Sequence, residues 1–260
     1  MPTAETPLVS IVIASHNYGR FLDEAIRSAL AQTHPSIEVV VVDDGSADDS
    51  VQVAQRHPVR VIEQSNLGVA HARNRGAREA RGDLLVFLDA DDMLEPNFVA
   101  RCWHSLKEAP PYVAYAYTPM RMFGAEQGIF QSRPFSRAAF YDGNFIPVTT
   151  LLRRAPFAAV DGFDPSLDAY EDHDLWLRLF ARGWIGTFVQ DPLLLYRRHG
   201  RSRNVLSRRV AQRIFVQVQA RHWRVYWRRW LRHPLDGVRC AMVGARALGR
   251  RLRDRRPSEL

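Results

Sequence analysis

The chain has 260 residues, of which 46% are hydrophobic and 25% charged, and its formal charge is +8. That length and apolar content suit one large domain with an appendage around a real core. Two cysteines far apart in sequence, Cys102 and Cys240, exclude a disulfide framework and a cysteine-based metal site and fit a reducing cytoplasm.

Residues 1–7 contain no basic region leading into an apolar stretch, so no secretory signal is expected. No apolar run approaches the roughly 18 residues of a membrane span. Val9-Ser10-Ile11-Val12-Ile13 is a β-branched run that predicts a buried strand. A loop through His16, Asn17 and Tyr18 follows, then helical spacing of Leu22, Ala25, Ile26, Ala29 and Leu30 over 21–32. Residues 37–42 predict a second strand ending in Asp43-Asp44-Gly45-Ser46, and 48–56 a helix. Residues 59–62 predict a third strand, and 69–80 a helix of small residues after Asn66-Leu67-Gly68. Residues 84–88 predict a fourth strand, ending in Asp89-Ala90-Asp91-Asp92. This alternation predicts an α/β fold with a doubly wound, mostly parallel sheet flanked by helices. Ligands then sit beyond the carboxyl ends of the strands, where both acidic clusters converge. No Gly-x-Gly-x-x-Gly follows the first strand, which argues against a dinucleotide site.

Beyond Asp92 the pattern is less regular. A helix is predicted over 96–107, an aromatic-rich strand over 111–123, and an irregular stretch over 124–150. Another helix opens at Glu171-Asp172 and carries Leu175, Leu179 and Phe180 on one face. Residues 205–230 predict a basic helix containing Trp223, Trp227 and Trp230, broken at His233-Pro234, and a second basic helix covers 235–253. The charge is uneven. From Arg197 onward there are 19 arginines and 3 acidic residues, a net +16, against 17 basic and 25 acidic residues before it, a net −8. A basic helical appendage on an acidic body points to a polyanionic partner. Tryptophan interleaved with arginine favours an anionic membrane surface, although packing of the helices on the catalytic body accounts for the same pattern.

Asp89-x-Asp91 offers alternate carboxylates at the end of a buried strand, hard oxygen donors suited to Mg²⁺ or Mn²⁺ on a diphosphate. Asp92 equally suits a helix cap. Asp44 can accept a hydrogen bond from a nucleoside, while Asp43 also suits a tight turn. Glu171 and Asp172 complement a helix N-terminus and also supply a general base. Arg73 reads either as a phosphate contact or as a solvated helix charge. His199 is a lone histidine that can meet a metal or a diphosphate.

Together these motifs, in this order and spacing, resemble the family 2 inverting glycosyltransferases of GT-A fold, over about residues 7–202. The resemblance implies a catalytic domain over 1–202, with a nucleotide-sugar part over 1–95 and an acceptor part over 96–202, followed by a basic Trp/Arg-rich extension over 203–260. It assigns Asp172 as the base. Ala14, Asn17, Asp44, Arg73, Asp89 and Ala90 fall to the nucleotide sugar, and Asp91 and His199 to the metal. Gly162, Phe163, Asp164 and Glu171 fall to the acceptor. Where the family often has Pro or Thr, this chain has Ala14, so any base contact there is through backbone. The Gln-x-x-Arg-Trp motif of the processive polymerases is absent, which implies transfer of single residues.

The expected function is inverting transfer from a nucleotide sugar, a UDP-sugar by preference, to a hydroxyl of a glycan or lipid-linked acceptor in cell-envelope or polysaccharide synthesis. The expected location is the cytoplasm, at the inner membrane face. Two other classes compete: a glycoside hydrolase with paired carboxylates, and a nucleic-acid-binding protein acting through the basic tail. The first leaves the nucleotide-like strand ends unexplained and the second the acidic body, so nucleic acid is disfavoured.

Overall fold

The structure is a computed structural model that describes residues 6–130, 132–167, 169–199 and 208–232. In chain order its elements are β1 (Val9–Ser15), α1 (Gly19–Leu30), β2 (Ile37–Asp44), α2 (Ser50–Gln55), β3 (Arg60–Gln64), α3 (Val69–Glu79), β4 (Leu84–Asp89), β5 (Met93–Leu94), α4 (Phe98–Lys107), β6 (Val113–Tyr117), β7 (Met120–Gly124), β8 (Gly128–Phe130), α5 (Arg137–Asp142), β9 (Leu151–Arg153), α6 (Arg154–Ala159), α7 (Glu171–Ala181), β10 (Ile185–Phe188), β11 (Leu194–Arg198), α8 (Arg208–Arg221) and α9 (Trp223–Arg232). The chain divides into two compact units, residues 1–200 and 201–260.

Among the described residues of the first unit, seven strands form one sheet in the order β10-β6-β9-β4-β1-β2-β3. Neighbours β1, β2, β3 and β4 pair in parallel, as do β6 and β10. Only β9 runs antiparallel, between β4 and β6. The strand order reverses around β1, where Ala14 pairs with Val42 on one side and Asp89 on the other. This is the switch point at which an open α/β sheet leaves a crevice. The apolar runs of β1, β2 and β4 are buried, as strands covered on both faces must be. Gly76 shows why α3 is built of small residues: a Cβ there would lie 2.3 Å from Val12 Cγ1. The helix lies so close to β1 that no side chain fits between them.

Past β4 the structure departs from the sequence expectation. The aromatic stretch over 111–123 is two strands, broken at Thr118-Pro119 and assigned to different sheets. Proline lacks the N–H that a continuous ladder needs. The irregular stretch over 124–150 contains β8 and also α5, whose N-cap Ser136 accepts from Ala139 N. β7 and β8 join β5 and β11 in a second sheet, ordered β5-β11-β7-β8. In the second unit the helix expected over 205–230 is two helices, with a turn at His222 between α8 and α9. The expected break at His233-Pro234 and the helix over 235–253 lie outside the described residues. Among the described residues no helix is long and apolar enough to cross a membrane.

Candidate active site

The loops after β1 and β2 are fastened to each other. Asn17, held at a positive φ of 57°, accepts from Ala47 N through its side chain, and its own N–H donates to Ser46 Oγ. Asp43 accepts from the Ser46 N–H and hydroxyl, so it closes the turn that was one of its two readings. Asp44 is nearly buried. Its carboxylate accepts from Gln64 Nε2 and from the N–H groups of Leu67 and Gly68, each at 2.8 Å. It therefore ties the loop before α3 to the end of β2, and few of its lone pairs remain for a nucleoside.

At the end of β4, Asp89, Asp91 and Asp92 lie close enough to repel one another. Burial first, and then the charge of Asp89, push the Asp91 carboxyl above its ordinary range; the His199 hydrogen bond opposes this. Burial and the charges of Asp91 and Asp89 push Asp92 well above it, against a hydrogen bond from the Arg197 N–H. Asp92 accepts that bond at 2.8 Å, so it fixes β11 and does not cap a helix. The Ala90 side chain is buried, which limits its contribution to backbone. His199, just past β11, lies against Tyr18 and Phe21 and brings Nε2 within 2.8 Å of Asp91 Oδ2. These two residues, 108 positions apart in sequence, thus meet in space.

Arg73 is placed differently from the phosphate contact expected of it. It is 3% exposed. Its guanidinium donates to Asp89 at 2.6 Å and to Glu171 at 2.8 Å, and it lies over the Phe163 ring. Burial alone lowers the pKa of a guanidinium, but the two carboxylates outweigh it and raise it, so the charge is permanent. Arg73 is a buried cross-link between the end of β4 and the start of α7. Glu171, expected to face the acceptor, is 9% exposed and accepts from Arg73 through Oε1.

The Gly162-Phe163-Asp164 segment also proves structural. Gly162 has φ +67°, and a Cβ there would lie 2.4 Å from Asn74 Oδ1. Asn74 pairs with Phe163 through both backbone groups, at 2.8 and 2.9 Å. The Phe163 ring is 1% exposed and packs on Phe87 and Phe157. The Phe163 side chain is thus part of the core, and any acceptor contact of this loop falls to its backbone and to Asp164. Asp164 accepts from the Ser166 N–H.

Asp172 stands one residue into α7. That helix is anchored by Trp176, which packs on Tyr115 and donates to Ile146 O. The Asp172 carboxyl is pushed up to about 6, first by burial and then by the charge of Glu171; hydrogen bonds from Asn144 and His173 and the charge of Arg73 oppose the shift. A carboxylate with a pKa near the working pH suits a general base. Two neighbours of these carboxylates escaped the sequence reading. Asn144 donates to Asp172 at 2.7 Å from a stretch with no periodicity. Arg197, counted as part of the basic tail, donates to Asp91 O and Asp92 and pairs with Glu24. With Arg197 and Arg198 in β11, residues 201–260 carry 17 arginines and 3 acidic residues, a net +14.

Among the described residues no group of three His, Cys, Asp or Glu side chains is arranged to hold an ion alone. Asp91 with His199 nevertheless fits a divalent cation completed by substrate oxygens, the usual mode when diphosphate is present. The mutual repulsion of the buried carboxylates is relieved by a cation. An imidazole in the set suits Mn²⁺ better than Mg²⁺.

The family model described as Glycosyl transferase family 2 matches residues 10–158. The chain belongs to that family. This membership sets aside the hydrolase reading and a non-enzymatic one. Chondroitin synthase of Escherichia coli is 30% identical over 210 residues, covering 76% of this chain and 30% of that protein, so the chain spans less than a third of this relative. S. aureus TarS 1–349, solved with UDP-GlcNAc, superposes with a TM-score of 0.68 at 19% identity, covering 83% of this chain and 65% of TarS. The mannosyltransferase PcManGT from Pyrobaculum calidifontis, solved with GDP-Man and Mn²⁺, superposes at 0.64 and 18% identity, covering 95% and 76%. These likenesses show the GT-A fold of the family 2 chain.

Proposed function

We propose that this family 2 chain transfers a sugar from a nucleoside diphosphate sugar to an acceptor hydroxyl by a single inverting displacement. The observation that carries the reading is Asp172, a carboxylate tuned to about 6 on the helix that Arg73 ties to the Asp89 end of β4. The acceptor O–H proton passes to the Asp172 carboxylate as the oxygen attacks the anomeric carbon. The bond from that carbon to the diphosphate oxygen breaks with its electron pair going to the phosphate, so configuration inverts. A bound Mn²⁺ or Mg²⁺ supplies charge neutralisation of the departing diphosphate. Asp91 and His199 would hold it. Arg73 holds the Glu171 and Asp89 carboxylates in place, so that the base and the donor end hold their spacing.

We take the donor to be a UDP-sugar, with support from TarS, solved with UDP-GlcNAc; GDP-mannose is the second candidate, from PcManGT. A thermal-shift screen of UDP-GlcNAc and GDP-mannose with Mn²⁺ identifies the ligand by the stabilisation it confers. With that donor, Asp172→Asn should abolish transfer and leave donor binding intact; full turnover by the variant would remove Asp172 as base.

For the acceptor we propose a cell-envelope or polysaccharide glycan, lipid-linked at the inner membrane face. Residues 201–260 carry +14. On α9, Trp223, Trp227 and Leu231 are exposed at intervals of four residues, the spacing of one helix face. Such a face beside arginines suits anionic lipid. The full chain should float with phosphatidylglycerol vesicles and a truncation after residue 202 should not.

A further inference from the structure

We propose that Asn144 is a positioning residue for the base, holding the Asp172 carboxylate in one orientation for proton transfer. The proposal rests on the reading of Asp172 as the general base. Each oxygen of that carboxylate has one local donor: Oδ2 accepts from Asn144 Nδ2 at 2.7 Å, and Oδ1 from the His173 N–H at 2.7 Å. The second bond comes from the adjacent backbone and persists in any rotamer that keeps Oδ1 over the helix start. The first comes from 28 residues away and sets the rotation of the group. Two fixed oxygens leave their remaining lone pairs in defined directions, as a base aimed at one hydroxyl requires.

Asn144 does this at a cost to itself. Its Oδ1 is buried and finds no donor among the described residues. A buried carbonyl without a partner is unfavourable for folding, and an apolar side chain at 144 would avoid it. A local rule broken beside a perturbed carboxylate marks a functional position.

The groups around Asp172 act in different directions. Glu171, beside it on α7, raises its pKa by charge, and Arg73 lowers it from α3. Tyr170, at the N-cap, is itself raised by burial and by the charge of Asp172. His173 follows on the helix, buried and against Phe140 of α5. Asn144 is the neutral side chain of this set that bonds the ionised form, beside the His173 N–H, so its removal moves the carboxyl further up.

The test is a ¹³C NMR titration of aspartate carboxyls in the full chain, with Asp172→Asn identifying the signal. In the wild type that signal should titrate near 6. In Asn144→Ala and Asn144→Leu the midpoint should rise by about 0.5–1 unit, the loss of one charged hydrogen bond. Asn144→Ser, which keeps a donor, should recover part of the shift. Thermal denaturation of each variant should match the wild type within a few degrees. A midpoint that stays put or falls in both folded variants overturns the proposal. The base assignment fails separately, through normal sugar transfer by Asp172→Asn, whatever the midpoints do.

Discussion

Replacing Arg73 with methionine tests how the two halves of the site are joined. Methionine keeps the unbranched apolar stem of the side chain and removes the guanidinium with its charge. Glu171, with its side chain only 11% exposed, is left with no cation, while Asp89, at 36%, is relieved by water. The loss is therefore concentrated on Glu171. Breaking a buried ion pair by removing one partner costs about 3–5 kcal/mol. In a unit of about 200 residues each kcal/mol lowers Tm by roughly 2–4 °C, so Arg73→Met should lose roughly 6–20 °C. Adding Glu171→Gln removes the stranded charge and should restore about half of that, because a neutral amide is far cheaper to bury than a carboxylate. Circular dichroism melts of the wild type, the single variant and the double variant decide it. A single variant within about 1 kcal/mol of wild type, or a double variant no better than the single, would refute the argument that Arg73 is a buried counter-ion.

Asp172→Asn should be more stable than the wild type at high pH. The folded pKa of about 6 lies above the unfolded value of about 3.9. Ionisation in the folded state therefore costs stability above pH 6, a cost that vanishes as pH falls towards 4. The gain should be roughly 1–3 kcal/mol at pH 8 and near zero at pH 4, by urea denaturation. The same pKa predicts that sugar transfer falls away as pH drops below 6, seen in a kcat/KM profile. Asp91→Asn and His199→Ala should each weaken Mn²⁺ binding about 10–100-fold by calorimetry with the nucleotide present, and chelation should stop turnover of the wild type. Gly162→Ala should destabilise by about 1–3 kcal/mol in thermal melts, because alanine meets both a positive φ and the Asn74 amide.

Much of the fold was legible in local pattern. Strands β1 to β4 and the helices between them were found because apolar β-branched runs and 3.6-residue spacing are written along the chain, and a parallel sheet buries both faces of its strands. The acidic strand ends were found for the same reason: a carboxylate directly after an apolar run is visible without coordinates. The chain past β4 was less legible. β9 is three residues long and enters the sheet between β4 and β6, two strands that both precede it in the chain. Its membership depends on pairing across the fold, which short strands do not announce. Thr118-Pro119 carried a readable break that the aromatic content of 111–123 obscured.

What the sequence determined by itself is the family, the doubly wound order and the identity of the chemical groups: Asp89, Asp91, Asp172 and His199. Only tertiary structure decided which of them face each other and which are spent on the scaffold. Arg73, Glu171, Phe163 and Asp44 have the composition of site residues, and the structure buries them and ties Arg73 to Glu171 and Asp44 to the loop before α3. Asn144 has no motif at all and donates to Asp172. The division has a physical cause. A residue's chemistry and local periodicity are properties of the chain, but desolvation, ion pairing and pKa depend on distances between elements. Those distances exist only once the core has packed.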